Sequence, residues 1–245
     1  MKFTNHNVRI SPKSSIGLGV RIGDNTVIYD NVIIGDNSTI CNDCVLGEPV
    51  SDYYTDYNYI QPTTVIGANA LVRSHTMIYP GCTIGSHFET GHHAIIREHC
   101  TIGNHCIIGT FSDVQAHVKM GNYSRLHSSV HLAKGSVLGD YVFIYPFAVL
   151  TNDRFPPSLE TKAPTVGDYT QICVHAVILP GVQIGENCLI GANATVSDDV
   201  EDFSLMLGSP AKRKGDVREL KAKDGSSLYP WTTRFDRGMP WNIDL

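Results

Sequence analysis

Residues 66–84 read Ile66-Gly67-Ala68-Asn69-Ala70-Leu71-Val72-Arg73-Ser74-His75-Thr76-Met77-Ile78-Tyr79-Pro80-Gly81-Cys82-Thr83-Ile84. Ile66, Val72, Ile78 and Ile84 stand six apart, and the count extends both ways. Before the stretch it runs through Ile10, Ile16, Ile22, Ile28, Ile34, Ile40 and Leu46. After it come Thr90, Ile96, Ile102, Ile108, Val114, Met120, Leu126, Leu132, Leu138, Ile144 and Leu150, and then Val166, Ile172, Ile178, Ile184, Ile190 and Val196. Thr90 is the one member that is not Ile, Val, Leu or Met. A helix repeats every 3.6 residues and an amphipathic strand every two, so a sustained period of six belongs to neither. A fixed short period is the mark of stacked coils, and hexads point to a parallel β-helix.

The remaining hexad positions give the cross-section. Glycine often follows the aliphatic (Gly17, Gly67, Gly103, Gly139, Gly185), and the residue four after it is small (Ala70, Ala94, Ser112, Ser136, Ala148). Each hexad therefore sends one large and one small side chain inward and then turns. Three hexads close a triangular coil, and the coils stack at about 4.8 Å, which predicts an all-β prism of about nine coils. Residues 1–207 form this unit. Residues 208–245 are a C-terminal segment with a possible short helix at 216–223 and an aromatic, proline-rich tail expected to be extended.

The formal net charge is −5, and no cluster of Lys and Arg precedes residues 212–214. That balance argues against a nucleic-acid partner. No apolar run approaches a membrane span and no basic-then-apolar leader opens the chain, so a cytoplasmic protein is expected. Cys44, Cys82, Cys100, Cys106 and Cys188 occupy the small inward slot and read as compact core residues. The remaining two, Cys41 and Cys173, form no zinc-type pattern.

The register breaks twice, at loops 47–65 and 151–165. If the coils stay in phase, both loops leave the same edge of the prism, five coil steps or about 24 Å apart. The first holds Tyr53, Tyr54, Tyr57 and Tyr59, and the second Asn152, Asp153 and Arg154. Long loops on a rigid scaffold are where function is expected.

The hexads, the Gly208-Ser209-Pro210-Ala211-Lys212 segment that follows them and the Leu150-Thr151-Asn152 stretch before a Pro-containing loop resemble the left-handed β-helix hexapeptide acyltransferases. Within that family they are similar to the nucleotide-amino-sugar N-acetyltransferases. The resemblance implies a left-handed coil and a homotrimer with sites between subunits. It also implies acetyl-CoA or another acyl-CoA as donor and a nucleotide sugar as acceptor.

Acyl transfer needs a base for the acceptor proton, a donor for the oxyanion and a means of holding the thioester. Of the 11 histidines, His75, His87, His93, His99, His105, His117 and His175 share one repeat position, an outward corner, and read first as turn residues. The irregular ones carry more information. His92 follows the anomalous Thr90-Gly91, and His127 stands where glycine often sits. Arg97-Glu98-His99-Cys100 resembles the catalytic turn of the lipid A O-acyltransferases, which have His at the Glu98 slot and an acidic residue next, so the order here is reversed. The candidate catalytic residues are His92, Glu98 and His127. The candidate substrate-binding residues are Arg97, Gln115, His117, Lys134, Asn152 and Asp153, with Lys212 and Arg213 for the cofactor. The expected chemistry is direct transfer in a ternary complex, with a corner backbone N–H taking the oxyanion and no resident metal. The alternatives are an O-acetyltransferase, a γ-type carbonic anhydrase that would draw on the 18-residue pairs His75/His93 and His99/His117, and a non-catalytic scaffold.

Overall fold

The structure, a computed structural model, describes residues 3–229. Among the described residues the strands form three sheets of ten, nine and eleven, each joining every third strand of the chain until the last two strands of the third sheet. Sheet I runs from Arg9–Ile10 to Thr195–Val196, sheet II from Ser15–Ile16 to Gln183–Ile184, and sheet III from Arg21–Ile22 to the strand Lys212–Asp216. Pairing along the coils is parallel, with partners 18 residues apart where no loop intervenes, as in Ile78 with Ile96 and Ile102 with Met120. This is a left-handed β-helix.

The physical reason is the column the hexads predict. Ile40, Leu46, Ile78, Ile96, Ile108, Leu126 and Leu132 are fully buried, with the small-slot residues Cys44, Cys82, Ala94, Cys106 and Ala148 beside them. Two-residue strands survive because each coil pairs with the one on either side and buries its apolar side chains against them. At the N-terminal end, with no described coil beyond it, Ile10 is 44% exposed. At most corners one residue takes a left-handed conformation, as do Asn69 (φ 59°) and His75 (φ 64°). Asn, Asp and His tolerate that region better than other side chains do.

Both loops leave sheet I and return to sheet II. Val45–Leu46 belongs to sheet I and Thr64–Ile66 to sheet II, and Val149–Leu150 and Thr165–Val166 repeat the pattern. They share one edge, termed here the loop edge. The first loop carries the short helix Asp52–Thr55.

After the last coil, Ser204–Leu207 joins sheet III and pairs antiparallel with Lys212–Asp216. Gly208, at φ 98°, makes the turn between them in a region that favours glycine. Where the sequence suggests a helix over 216–223, the chain instead completes this strand and adds a single 3-10 turn, Val217–Glu219. Asp216 ends the strand, Val217 N donates to the Phe203 carbonyl and Lys221 bridges to Ser227, which commits backbone groups that a longer helix would use. The aromatic tail read as extended lies outside the described residues from position 230 onward. No described helix is long and apolar enough to cross a membrane.

Candidate functional site at the loop edge

The outward row of sheet I runs Arg9, Val27, Val45, Met77, Ile95, Asp113, His131, Val149, Val177, Thr195. Asp113 and His131 are directly paired and interrupt its apolar middle. His131 Nδ1 lies 3.1 Å from Asp113 Oδ2, and Gln115 Nε2 donates to both Asp113 oxygens at 2.9 and 2.8 Å. His131 and these Gln115 contacts hold the Asp113 carboxyl below its usual range against the opposing effect of burial, with Arg97 adding to the depression. An ionised carboxylate only accepts, so the network assigns the imidazole proton to Nδ1 and leaves the Nε2 lone pair free. This is the arrangement of an oriented general base. Sequence reading named Gln115 but passed over His131 and Asp113. The signal that finds them is their shared register, one place before the aliphatic and 18 residues apart.

Arg97 and Glu98 sit one coil earlier at the adjoining corner. Arg97 donates to both Glu98 oxygens, at 2.8 and 3.2 Å, and its guanidinium lies over the Tyr79 ring, 4.5 Å from the centroid. Burial opposes the Glu98 charge, but the backbone amide and Arg97 outweigh it and keep the carboxyl below its usual range. Both of its oxygens are therefore engaged by a cation. His117 is exposed and stacks on His99, with centroids 5.2 Å apart. The first loop is tied to the corner at residues 29–31, where Asn31 Nδ2 donates to the Gln61 carbonyl and Gln61 Nε2 to the Asp30 carbonyl. Tyr53 packs edge-on against Tyr29, Tyr54 and Tyr59, and burial, with Asp52 and Glu98 adding to it, raises the Tyr59 phenol.

The second loop supplies less chemistry than its composition promises. Asp153 accepts from Phe155 N, Ser158 N and Ser158 Oγ, so its carboxylate builds the loop. Asn152 Nδ2 donates to the Lys134 carbonyl at 3.2 Å, tying the loop down, and the Lys134 side chain is exposed. Lys212 and Arg213 lie on the terminal hairpin of sheet III, away from the loop edge. Arg213 Nε donates to Ser204 Oγ.

His92 and His127 belong to a different edge, where sheet III turns into sheet I. His92 is exposed and its backbone N–H donates to Thr110 Oγ1. His127 lines a groove of about 290 Å³ on sheet III, together with Thr90, Arg73 and Arg125. The corner histidines prove to be ladder residues: His75 stacks on His93 at 4.5 Å, and His87 on His105 at 4.5 Å. The rings of each pair are nearly parallel. Among the described residues no three His, Cys, Asp or Glu side chains gather as metal ligands within one chain.

Residues 13–48 and 163–198 match the family described as bacterial transferase hexapeptide (six repeats). Among curated proteins the chain is 32% identical over 78 residues to a chloramphenicol acetyltransferase of Escherichia coli, covering 30% of the chain and 37% of that protein. It is 35% identical over 79 residues to a probable macrolide acetyltransferase of Lysinibacillus sphaericus, covering 30% and 44%. The chain thus spans less than half the length of these relatives. Among solved structures, an Arabidopsis UDP-N-acetylglucosamine acyltransferase aligns over 88% of this chain and 74% of its own, with a TM-score of 0.63 and 17% identity, a likeness of fold.

Proposed function

We propose that this protein is an acyltransferase that moves an acyl group from a coenzyme A thioester to an acceptor at the loop edge, and that the acceptor is the amine of a nucleotide-linked amino sugar. The observation that carries this reading is the Gln115–Asp113–His131 unit, an imidazole with its Nδ1 proton committed to a fixed carboxylate. His131 Nε2 takes the acceptor proton as the amine nitrogen attacks the thioester carbon. Asp113 stabilises the imidazolium that forms. The tetrahedral intermediate expels the thiolate, and His131 returns the proton to it, leaving an amide and free coenzyme A. Gln115 holds the carboxylate in register. Arg97, tied to Glu98 and backed by Tyr79, presents a positive edge toward an anionic part of the acceptor. Tyr53, Tyr54 and Tyr59 offer apolar faces for planar groups.

The acetyltransferase names of the curated relatives support the reaction class. Sites lying between subunits of a homotrimer are part of the proposal. The test is thiol release from acetyl-CoA with a panel of amino-sugar nucleotides, hydroxyl sugars, chloramphenicol and a macrolide, comparing wild type with His131→Asn. The expected result is turnover with an amino-sugar nucleotide, reduced at least about 100-fold in the variant, the lower range for loss of a general base. Turnover with a drug alone would move the acceptor to the class named by the relatives. Unchanged turnover in His131→Asn would remove the loop edge as the site.

A further inference from the structure

Coil 89–106 carries an imidazole at each of its three corners, His93, His99 and His105, all in the left-handed conformation (φ 55°, 59° and 56°). His93 stacks on His75 and His105 on His87, both at 4.5 Å, and His99 stacks on His117 at 5.2 Å. Near both ends of the prism the left-handed corners take Asn instead, as at Asn25, Asn31, Asn37, Asn187 and Asn193. Asn makes the same turn without a ring that titrates.

Two of the three pairs, His75 with His93 and His87 with His105, cross the same seam, between coils 71–88 and 89–106. The backbone ladder of that seam is incomplete. Arg73 N donates to Thr90 Oγ1 at 2.8 Å rather than to the Thr90 carbonyl, and the register between Leu71–Val72 and Glu89–Thr90 holds only at Glu89 with Leu71. The equivalent amides of the following coils, Gly91 and Gly109, donate to the carbonyls of Ile108 and Leu126 at 2.7 and 2.8 Å. A stack held by nearest-neighbour contacts parts where such a contact is weakest.

The charges around the seam set its response to protons. At the His87–His105 corner, Asn69 Nδ2 lies 3.5 Å from His87 Nε2, and the far face of His105 meets the Tyr123 ring at 4.8 Å. Among the described residues His87 is the only charged group acting on His105, and burial together with that charge holds the His105 imidazole below its usual range. At the His75–His93 corner the neighbours are Phe111, stacked on His93 at 5.0 Å, His92, and Asp43, which stands one corner before His75 and accepts from Asn25 Nδ2. Elsewhere the seam is crossed by Arg73 with Glu89, 3.9 Å apart, by Arg97 over Tyr79, and by the neutral pairs Met77–Ile95 and Thr83–Thr101. His99 and His117 cross the next seam, where the Glu98 carboxylate and a proton on His117 stabilise each other.

We infer that the seam between coils 71–88 and 89–106 is a proton-sensitive joint, which opens reversibly and ahead of the rest of the prism when its stacked imidazoles are protonated. Two like charges 4.5 Å apart in water shift the opening equilibrium about fivefold, so two pairs shift it about 25-fold. The closed seam binds fewer protons than the open one, where separated imidazoles titrate at about 6.5. Closure is therefore favoured above that range and weakens as pH falls below it. Arg97 and Glu98 belong to coil 89–106, so an open seam also takes the loop edge apart. That consequence rests on the proposed function, whereas the opening itself does not.

Cys82 and Cys100 report the opening, because they lie fully buried against each other across this seam, and the Cys82 thiol donates to the Arg97 carbonyl on its far side at 3.1 Å. The full chain is alkylated with N-ethylmaleimide at about pH 7.5 and about pH 5, rates are normalised to a cysteine peptide at each pH, and the modified cysteines are located by peptide mass spectrometry. At the lower pH the normalised rate at Cys82 and Cys100 is expected to rise at least tenfold, while Cys44 and Cys188, buried at other seams, stay protected. A sample returned to the higher pH before alkylation is expected to regain the original rate. His87→Asn combined with His105→Asn keeps a residue suited to the left-handed corner and removes one pair, and is expected to cut the acid-induced rise about fivefold. His99→Asn is expected to change it less than about twofold. Should the double variant fold poorly, about 0.5 M salt on wild type screens the same repulsion and is expected to slow the alkylation in acid at least twofold. The inference is overturned if Cys82 and Cys100 are no more reactive in acid, if Cys44 and Cys188 become reactive together with them, or if a folded double variant keeps the whole acid response. Alkylation is read without turnover, so this outcome and that of the acyl-transfer assay are independent.

Discussion

Ile108→Ala, set against Ile10→Ala, tests the column on which the prism stands. Ile108 is fully buried and pairs with Thr90 on one side and Leu126 on the other. Removing three buried carbons forfeits about 2.4 kcal/mol of transfer free energy at about 0.8 kcal/mol each. The coils above and below hold the backbone at fixed spacing, so the void closes only partly and adds about 1 kcal/mol at ~24 cal/mol per Å³. The sum, about 3–4 kcal/mol, corresponds to a fall in midpoint of roughly 6–16 °C for a domain of this size. Ile10, 44% exposed with no described coil beyond it, has less to lose, and the same change there costs about 1 kcal/mol or less. Urea unfolding followed by far-ultraviolet circular dichroism, with thermal midpoints in parallel, reads both variants. Equal shifts at the two positions would refute the reasoning, because they would mean that burial along the column does not set stability.

Asp113→Asn is expected to lower kcat about 10- to 100-fold with KM changed less than about twofold, since it releases the orientation of the base and leaves the imidazole in place; steady-state kinetics with the best acceptor checks it. Burial raises the thiols of the half-buried Cys41 and Cys173, and it pushes those of the fully buried Cys44 and Cys106 up to about 12. Ellman's reagent is therefore expected to titrate two thiols in the native protein and the remaining five of the 7 only after unfolding. Arg218 holds the Asp216 carboxyl down at about 2 through its side chain and its N–H. A depressed carboxyl contributes above its unfolded range near 4, and the contribution is lost as pH falls through about 2. A carbon-detected titration should show that midpoint in wild type and a return toward the ordinary range in Arg218→Ala.

The fold was legible because its rule is one-dimensional: one aliphatic every six residues determines inside, corner and stacking partner together. The same rule placed both loops on one edge and flagged Thr90, whose hydroxyl takes the Arg73 N–H. Site chemistry was less legible for three physical reasons. Histidine abundance reflected corners where a left-handed residue is needed and rings stack, so composition drew attention to His99 and His117. The functional pairing of Asp113 with His131 lies in the outward row just before the aliphatic, a register that hydrophobic counting ignores. Asp153 spends its oxygens on the turn that contains it, a closure set by loop geometry that no repeat encodes. In the terminal segment, local propensity around 216–223 yielded to the Val217 contact with the Phe203 carbonyl and the Lys221–Ser227 bridge, as tertiary context overrides weak helix preference.

The most direct test of the central claim, that acyl transfer takes place at the loop edge, is a crystal structure of the full chain with coenzyme A and the acceptor found by the turnover panel. The account expects the thiol sulfur and the acceptor nitrogen within about 4 Å of His131 Nε2, with Asp113 still on Nδ1. A thiol bound on another face of the prism, with His131 facing only solvent, would contradict it.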